Sequence, residues 1–169
     1  FILAILQQES NLGKNVGTCN RPQDPESKSW RNIMKPSRDI EPYKRITDEL
    51  GVDPDTQPLS CPYKNGWGGA MGPSQFIPST WEKYQNRIAN AVGVSTPNPW
   101  NPEHAFTASG IYLADLGAAS GSYSAERQAA LRYYAGSNWQ SPSVQFYGDQ
   151  VMQRKQDIQS DIDTIEAAE

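Results

Sequence analysis

Gly68-Gly69-Ala70-Met71-Gly72-Pro73-Ser74-Gln75-Phe76-Ile77-Pro78-Ser79-Thr80-Trp81 is the stretch around which the rest of the chain reads. Small residues precede Met71 and Gly72-Pro73 follow it, so the backbone is bare enough to run close to a bulky ligand. Gln75 is the polar residue of the second half. Its amide both donates and accepts, which suits an acetamido or hydroxyl group. Pro78 breaks the chain, and Ser79-Thr80-Trp81-Glu82 then reads as a capping box opening a helix. Taken alone, the stretch is equally a Gly-rich turn before an ordinary helix.

Away from this stretch the spacing is helical. Residues 1 to 8 are apolar almost all round, which describes a helix buried on most faces. Residues 14 to 40, with Pro22, Pro25 and Pro36, read as a long excursion with little regular structure. Tyr43, Ile46 and Leu50 set a helix between Pro42 and the C-cap Gly51, and residues 52 to 64 read as loop. A helix from Trp81 to Val92 carries Trp81, Tyr84, Ile88 and Val92 on one face. Asn101-Pro102-Glu103 caps and opens another, which stops at Gly117. Ser124 reads as the cap of a helix from Ala125 to Tyr134, and the last helix begins near Tyr147. Val151, Ile158 and Ile165 recur every seven residues along it. The stripe reads as a seam for self-association or a partner helix, or as a helix laid along the domain. No alternating strand pattern is present, so the expected fold is all-α.

Composition excludes several classes of function. The chain has 169 residues and a formal net charge of −4, so it offers no basic footprint for nucleic acid. Mean hydropathy is −0.70 and apolar runs are short, so no segment reads as membrane-spanning. The single histidine, His104, removes a His-rich zinc site, leaves a Ser-His-Asp apparatus only one position for its base, and reads as solvated or locally bonded. Asp53-Pro54-Asp55 is too short for a calcium loop. Cys19 and Cys61 fit no metal or redox spacing. They read either as a disulfide stapling the loop region between them, which implies an extracytoplasmic setting, or as two unpaired thiols. The opening Phe1-Ile2-Leu3-Ala4-Ile5-Leu6 has neither a basic leader nor a cleavage site, and reads as the inside of a helix in a longer parent chain.

Glu9, in Gln7-Gln8-Glu9-Ser10-Asn11-Leu12-Gly13, puts a carboxylate at the mouth of an apolar helix. Burial there would raise its pKa, which keeps a general acid protonated near neutrality. A solvent-facing glutamate at a helix end is the plainer alternative.

Three segments, in order, are Glu9-Ser10, Gly69-Ala70-Met71-Gly72 through Phe76-Ile77-Pro78-Ser79, and Arg132-Tyr133-Tyr134-Ala135-Gly136. Together they resemble the lytic murein transglycosylases of the lysozyme-like superfamily. The similarity is greatest to the membrane-bound lytic transglycosylase B type (glycoside hydrolase family 103), whose central segment is G-A-M-G-x-x-Q-F-x-P-S-S/T. The resemblance implies a transglycosylase (SLT-like) catalytic domain over residues 1–148, including the 14–64 excursion, with a C-terminal helix over 149–169.

It further implies that Glu9 is the catalytic acid and that Ser10 orients it. Met71, Gln75 and Phe76 would line the cleft, Tyr133 would stand near the acid, and Tyr147 would match the second tyrosine of the B type. Tyr134 occupies the position of the family's asparagine, and Gly66 that of a serine. The B type's calcium loop has no counterpart between Glu82 and Pro99, so neither metal nor cofactor is expected. The implied substrate is the peptidoglycan glycan strand, cleaved outside the cytoplasm of a bacterium. A glycosidase commonly needs two carboxylates. A transglycosylase needs one, because the C6 hydroxyl of muramic acid replaces water, and Glu82, Glu103 and Asp115 read as cap or surface residues. The alternatives are a goose-type muramidase, a catalytically silent glycan-binding module, and a scaffold pairing through its last helix.

Overall fold

The computed structural model describes residues 1–64 and 66–168. Among them are seven α-helices: α1 Ile2–Ser10, α2 Trp30–Ile33, α3 Ile40–Leu50, α4 Pro78–Val92, α5 Pro102–Asp115, α6 Tyr123–Ala135 and α7 Gln145–Glu166. The described residues contain isolated bridges but no strand, so the chain is all-α. It divides into two compact units, residues 1–8 with 109–169, and residues 9–108.

The unit of residues 9–108 is built on α3 and α4, which pack together and are joined at their surface by Arg45 and Glu82 (Nε to Oε1, 2.6 Å). Met34, Tyr43, Ile46, Leu59, Met71, Trp81 and Ile88 are buried in it. The long excursion is anchored rather than loose. Cys19 and Cys61 form a disulfide, and Cys19 exchanges both backbone hydrogen bonds with Leu59 at 3.0 Å. Leu59 bridges in turn to Met71, and Met71 to Phe76, so the central segment is tied to the disulfide loop.

Asn20 closes the rest of that loop. Its Nδ2 donates to the carbonyls of Pro54 (2.7 Å) and Gln57 (2.9 Å) and more weakly to Tyr43 Oη (3.3 Å). Its Oδ1 accepts from Trp30 N at 3.0 Å. Desolvation holds the Tyr43 phenol well above its ordinary pKa, and its hydroxyl donates to the Pro54 carbonyl at 2.7 Å.

The unit of residues 1–8 and 109–169 centres on α6 and α7. Its core holds Ala4, Ile5, Leu113, Ala129, Ala130, Tyr147 and Val151. Gly148 lets the two helices approach, since a Cβ there would lie 3.0 Å from Leu131 Cγ. Buried Glu126 pairs with Lys155 at 2.5 Å, and Arg127 with Asp149 at 2.8 Å.

Several expected boundaries shift for local reasons. Pro78 is itself the first residue of α4, so Ser79 cannot be its cap. Ser79 N and Oγ instead donate to Oδ1 of fully buried Asp39, whose other oxygen is held by Arg38 (Nη2, 2.6 Å). The expected capping box is thus replaced by a carboxylate from 40 residues away, with Glu82 turned to Arg45. Ser122, not Ser124, caps α6, accepting from Ala125 N at 3.3 Å. The excursion contains α2. α1, expected to be buried on most faces, buries Ala4, Ile5 and Leu6 but leaves Ile2 and Leu3 42 % and 46 % exposed. The boundary expected at 148/149 falls inside α7. Along that helix Val151 is core, Ile158 packs at its margin and Ile165 is exposed.

Candidate functional site

Glu9 and Ser10 are the last residues of α1. Glu9 is half-buried and Ser10 is buried. Ser10 Oγ accepts from Gly13 N at 2.8 Å, and its carbonyl accepts from Asn15 N at 2.9 Å, so the chain reverses directly after Glu9-Ser10. The reversal runs through three successive left-handed residues, Asn11 (φ 52°), Leu12 (φ 57°) and Gly13 (φ 86°). Asparagine tolerates that region, whereas leucine pays about 1–2 kcal/mol to occupy it. Such strain persists only where the surrounding structure imposes it, and it concentrates at functional sites. A Cβ built on Gly13 would lie 3.5 Å from the Pro73 ring, so the turn behind Glu9-Ser10 packs on the central segment.

That central segment is a tight turn. Met71 N donates to Phe76 O at 2.9 Å, and the backbone N and Nε2 of Gln75 both donate to Gly72 O, at 3.2 and 2.9 Å. Gln75 has φ 53°, another non-glycine residue in left-handed backbone. Met71 and Phe76 are buried, while Gln75 is half-buried and spends an amide N–H on the turn's own hydrogen bonding. Ser74 Oγ donates to Ala105 O at 2.7 Å.

The glycines serve the chain's own packing. A Cβ at Gly72 would fall 1.8 Å from Pro99 O, and one at Gly68 would fall 2.4 Å from Ser60 O. The bare backbone expected to admit a ligand is therefore filled, at these two positions, by neighbouring backbone.

The three tyrosines lie in the other unit. Tyr133 Oη is 3.1 Å from Ser109 Oγ, and its ring tilts against Tyr112 at 5.3 Å. Burial raises the Tyr112 pKa. Tyr134 stacks on Tyr147, centroids 4.4 Å apart and planes within 9°. Glu9, Ser10, Met71, Gln75 and Phe76 are thus gathered in one unit, and Tyr133, Tyr134 and Tyr147 in the other.

His104 is locally bonded, accepting from Asn98 N at its Nδ1 (2.9 Å). Asn101 caps α5, its Oδ1 accepting from Glu103 N at 2.9 Å. No group of three or more His, Cys, Asp or Glu among the described residues could hold a metal ion, and no helix among them is long and apolar enough to cross a membrane. A groove of about 750 Å³ opens beside α3, lined by Trp30, Ile40, Lys44, Arg45, Val52 and Pro54, and none of the expected site residues lines it. Arg31 and the Trp30 indole hold Asp55 below the usual carboxylate pKa there.

Sequence reasoning missed Asn20 and Asp39, two buried polar hubs, and the exposed ring of Phe146 beside Tyr134. Asn20 follows a cysteine in a polar stretch, and no local signal marks it as buried. Comparison with family models, with curated proteins and with solved structures returns no match for this chain.

Proposed function

We propose that the protein is a peptidoglycan lytic transglycosylase of lysozyme-like fold, acting outside the cytoplasm of a bacterium. The observation that carries the reading is the order of three motifs in one helical chain: Glu9-Ser10 ending a helix, the Gly69–Ser79 turn, and Arg132-Tyr133-Tyr134. The strained reversal behind Glu9-Ser10 and its packing on Pro73 support the first two motifs as parts of one site. The disulfide suits an oxidising compartment.

In this reading Glu9 protonates the oxygen between N-acetylmuramic acid and N-acetylglucosamine as the β-1,4 bond breaks. The muramic acid N-acetyl group assists at the anomeric carbon. Glu9, now a carboxylate, takes the proton of the same sugar's C6 hydroxyl as that oxygen bonds to C1. The proton lent in the first step is recovered in the second, no water is consumed, and a 1,6-anhydro end remains. Gln75 would hold an acetamido or hydroxyl group through its amide oxygen.

Mass spectrometry of material released from purified peptidoglycan tests the assignment. The wild type should release anhydro-muropeptides and Glu9→Gln should release none, while melting like the wild type. Equal release by Glu9→Gln would remove Glu9 from the chemistry. Reducing muropeptides from the wild type would make the protein a muramidase.

A further inference from the structure

One aromatic cluster in the unit of residues 1–8 and 109–169 stands partly outside its core. Tyr147 is 3 % exposed, and Tyr134 lies flat upon it. Phe146, the residue before Tyr147 on α7, meets Tyr134 at 5.9 Å with the ring planes 75° apart. Tyr134 and Phe146 are each 48 % exposed. The buried Tyr147 fixes the attitude of the Tyr134 ring, so the exposed plate is set before any ligand arrives. A rigid aromatic plate loses little conformational entropy on binding. Two half-wet rings set close to a right angle make a corner, and adjoining exposed apolar rings of this kind mark a contact surface.

The neighbouring chemistry selects the occupant. The following loop, Gly136-Ser137-Asn138-Trp139-Gln140-Ser141, carries amides and hydroxyls and no charge. It is tied to α7 by Gln145, whose Nε2 donates to the carbonyls of Trp139 (2.9 Å) and Ser141 (3.2 Å). The Arg132 guanidinium already lies over the Trp139 ring at 5.0 Å. Flat rings beside neutral donors and acceptors match a pyranose. Its C–H face meets the negative face of an aromatic ring, and its edge carries hydroxyl and acetamido groups.

We propose that Tyr134 and Phe146 form a stacking corner for a pyranose ring of the glycan strand. The identity of that sugar rests on the peptidoglycan reading above.

Titration calorimetry of the full chain carrying Glu9→Gln, which halts turnover, with a neutral β-1,4-linked tetramer of N-acetylglucosamine tests the corner. Tyr134→Ala and, independently, Phe146→Ala should each weaken binding about 10-fold, equivalent to about 1.4 kcal/mol. Tyr134→Phe, which keeps the plate, should stay within about 2-fold of the parent. Thermal melts of all variants check that folding is retained, and Phe146→Ala decides the matter if Tyr134→Ala does not fold. No binding by the parent, or binding indifferent to both rings, overturns the proposal. Digestion of peptidoglycan by the chain with Glu9 intact separates the two readings. Ring-dependent binding without anhydro products would leave the corner standing and remove the transglycosylase. Anhydro products with ring-independent binding would do the reverse.

Discussion

Replacing Asn20 by alanine should destabilise the protein by about 4 kcal/mol. The side chain is 3 % exposed and makes three well-formed hydrogen bonds, to the Pro54 and Gln57 carbonyls and from Trp30 N, besides the weaker one to Tyr43. Pro54 O keeps Tyr43 Oη after truncation, but Gln57 O and Trp30 N lose the Asn20 side chain that satisfies them. Three bonds at about 1 kcal/mol each, and about 1 kcal/mol for alanine at a left-handed position, give the total. Asn20 itself sits at φ 59°. For a chain of this length the melting midpoint should fall by about 8–16 °C.

Urea unfolding followed by tryptophan fluorescence reads the change, because Trp30 is one of the partners. Asn20→Asp sharpens the test. It keeps the acceptor for Trp30 N but turns a carboxylate oxygen toward two carbonyls, so at neutral pH it should cost at least as much as alanine. Those carbonyls disfavour the charged form, so the introduced carboxyl has a raised folded-state pKa. Its penalty should ease as pH falls through that value and the protonated group becomes a donor. A loss below about 1 kcal/mol for alanine, or wild-type stability for aspartate at neutral pH, would refute the assignment of Asn20 as the buried hub of this loop.

Three further outcomes are expected. Removing the disulfide by the Cys19→Ala/Cys61→Ala pair releases a loop of sequence separation 42. The chain-entropy relation gives about 4 kcal/mol of lost stability, readable by urea unfolding. Leu12→Asn should raise stability by about 0.5–1 kcal/mol, because asparagine tolerates the left-handed region that leucine strains to occupy. Leu12 is 47 % exposed and gives up little burial. Asp55 lies below its ordinary pKa of 3.8 because of hydrogen bonds from Arg31 and Trp30. A depressed folded pKa stabilises above the unfolded value and loses that contribution as pH falls through the folded one. Asp55→Asn should therefore narrow the stability difference between pH 6 and acid. Because the pair is exposed, the effect should be small and weaken further in salt.

The sequence revealed those features whose cause is local. Gly51 and Gly93 end α3 and α4 in left-handed backbone, Asn101 caps α5, and His104 bonds to Asn98 just ahead of α5, all within a few residues of the signal. Ser79 misled because the real partner of that helix start, Asp39, is brought in by the fold. Ser124 misled because Ser122, two residues earlier, offers the same chemistry. The excursion between Cys19 and Cys61 looked loose because its order comes from one disulfide and one asparagine hub, both non-local. At the site, Glu9 at a helix mouth and the turn at Met71–Phe76 were readable. The left-handed strain at Leu12 and Gln75 was not, because neither residue type announces it. Phe146 gave no signal for its proposed role because an exposed ring acquires meaning only from Tyr134 across the α6–α7 pair.

The oxygen balance of the cut discriminates most directly between transglycosylation by one carboxylate and hydrolysis. Peptidoglycan digested in water labelled with heavy oxygen should yield muramic acid ends carrying no label, because the C6 hydroxyl of the same sugar closes the bond at C1. One heavy oxygen at each new muramic acid end would mean that water is the nucleophile, and would contradict the proposed role of Glu9 as acid and base for an intramolecular attack.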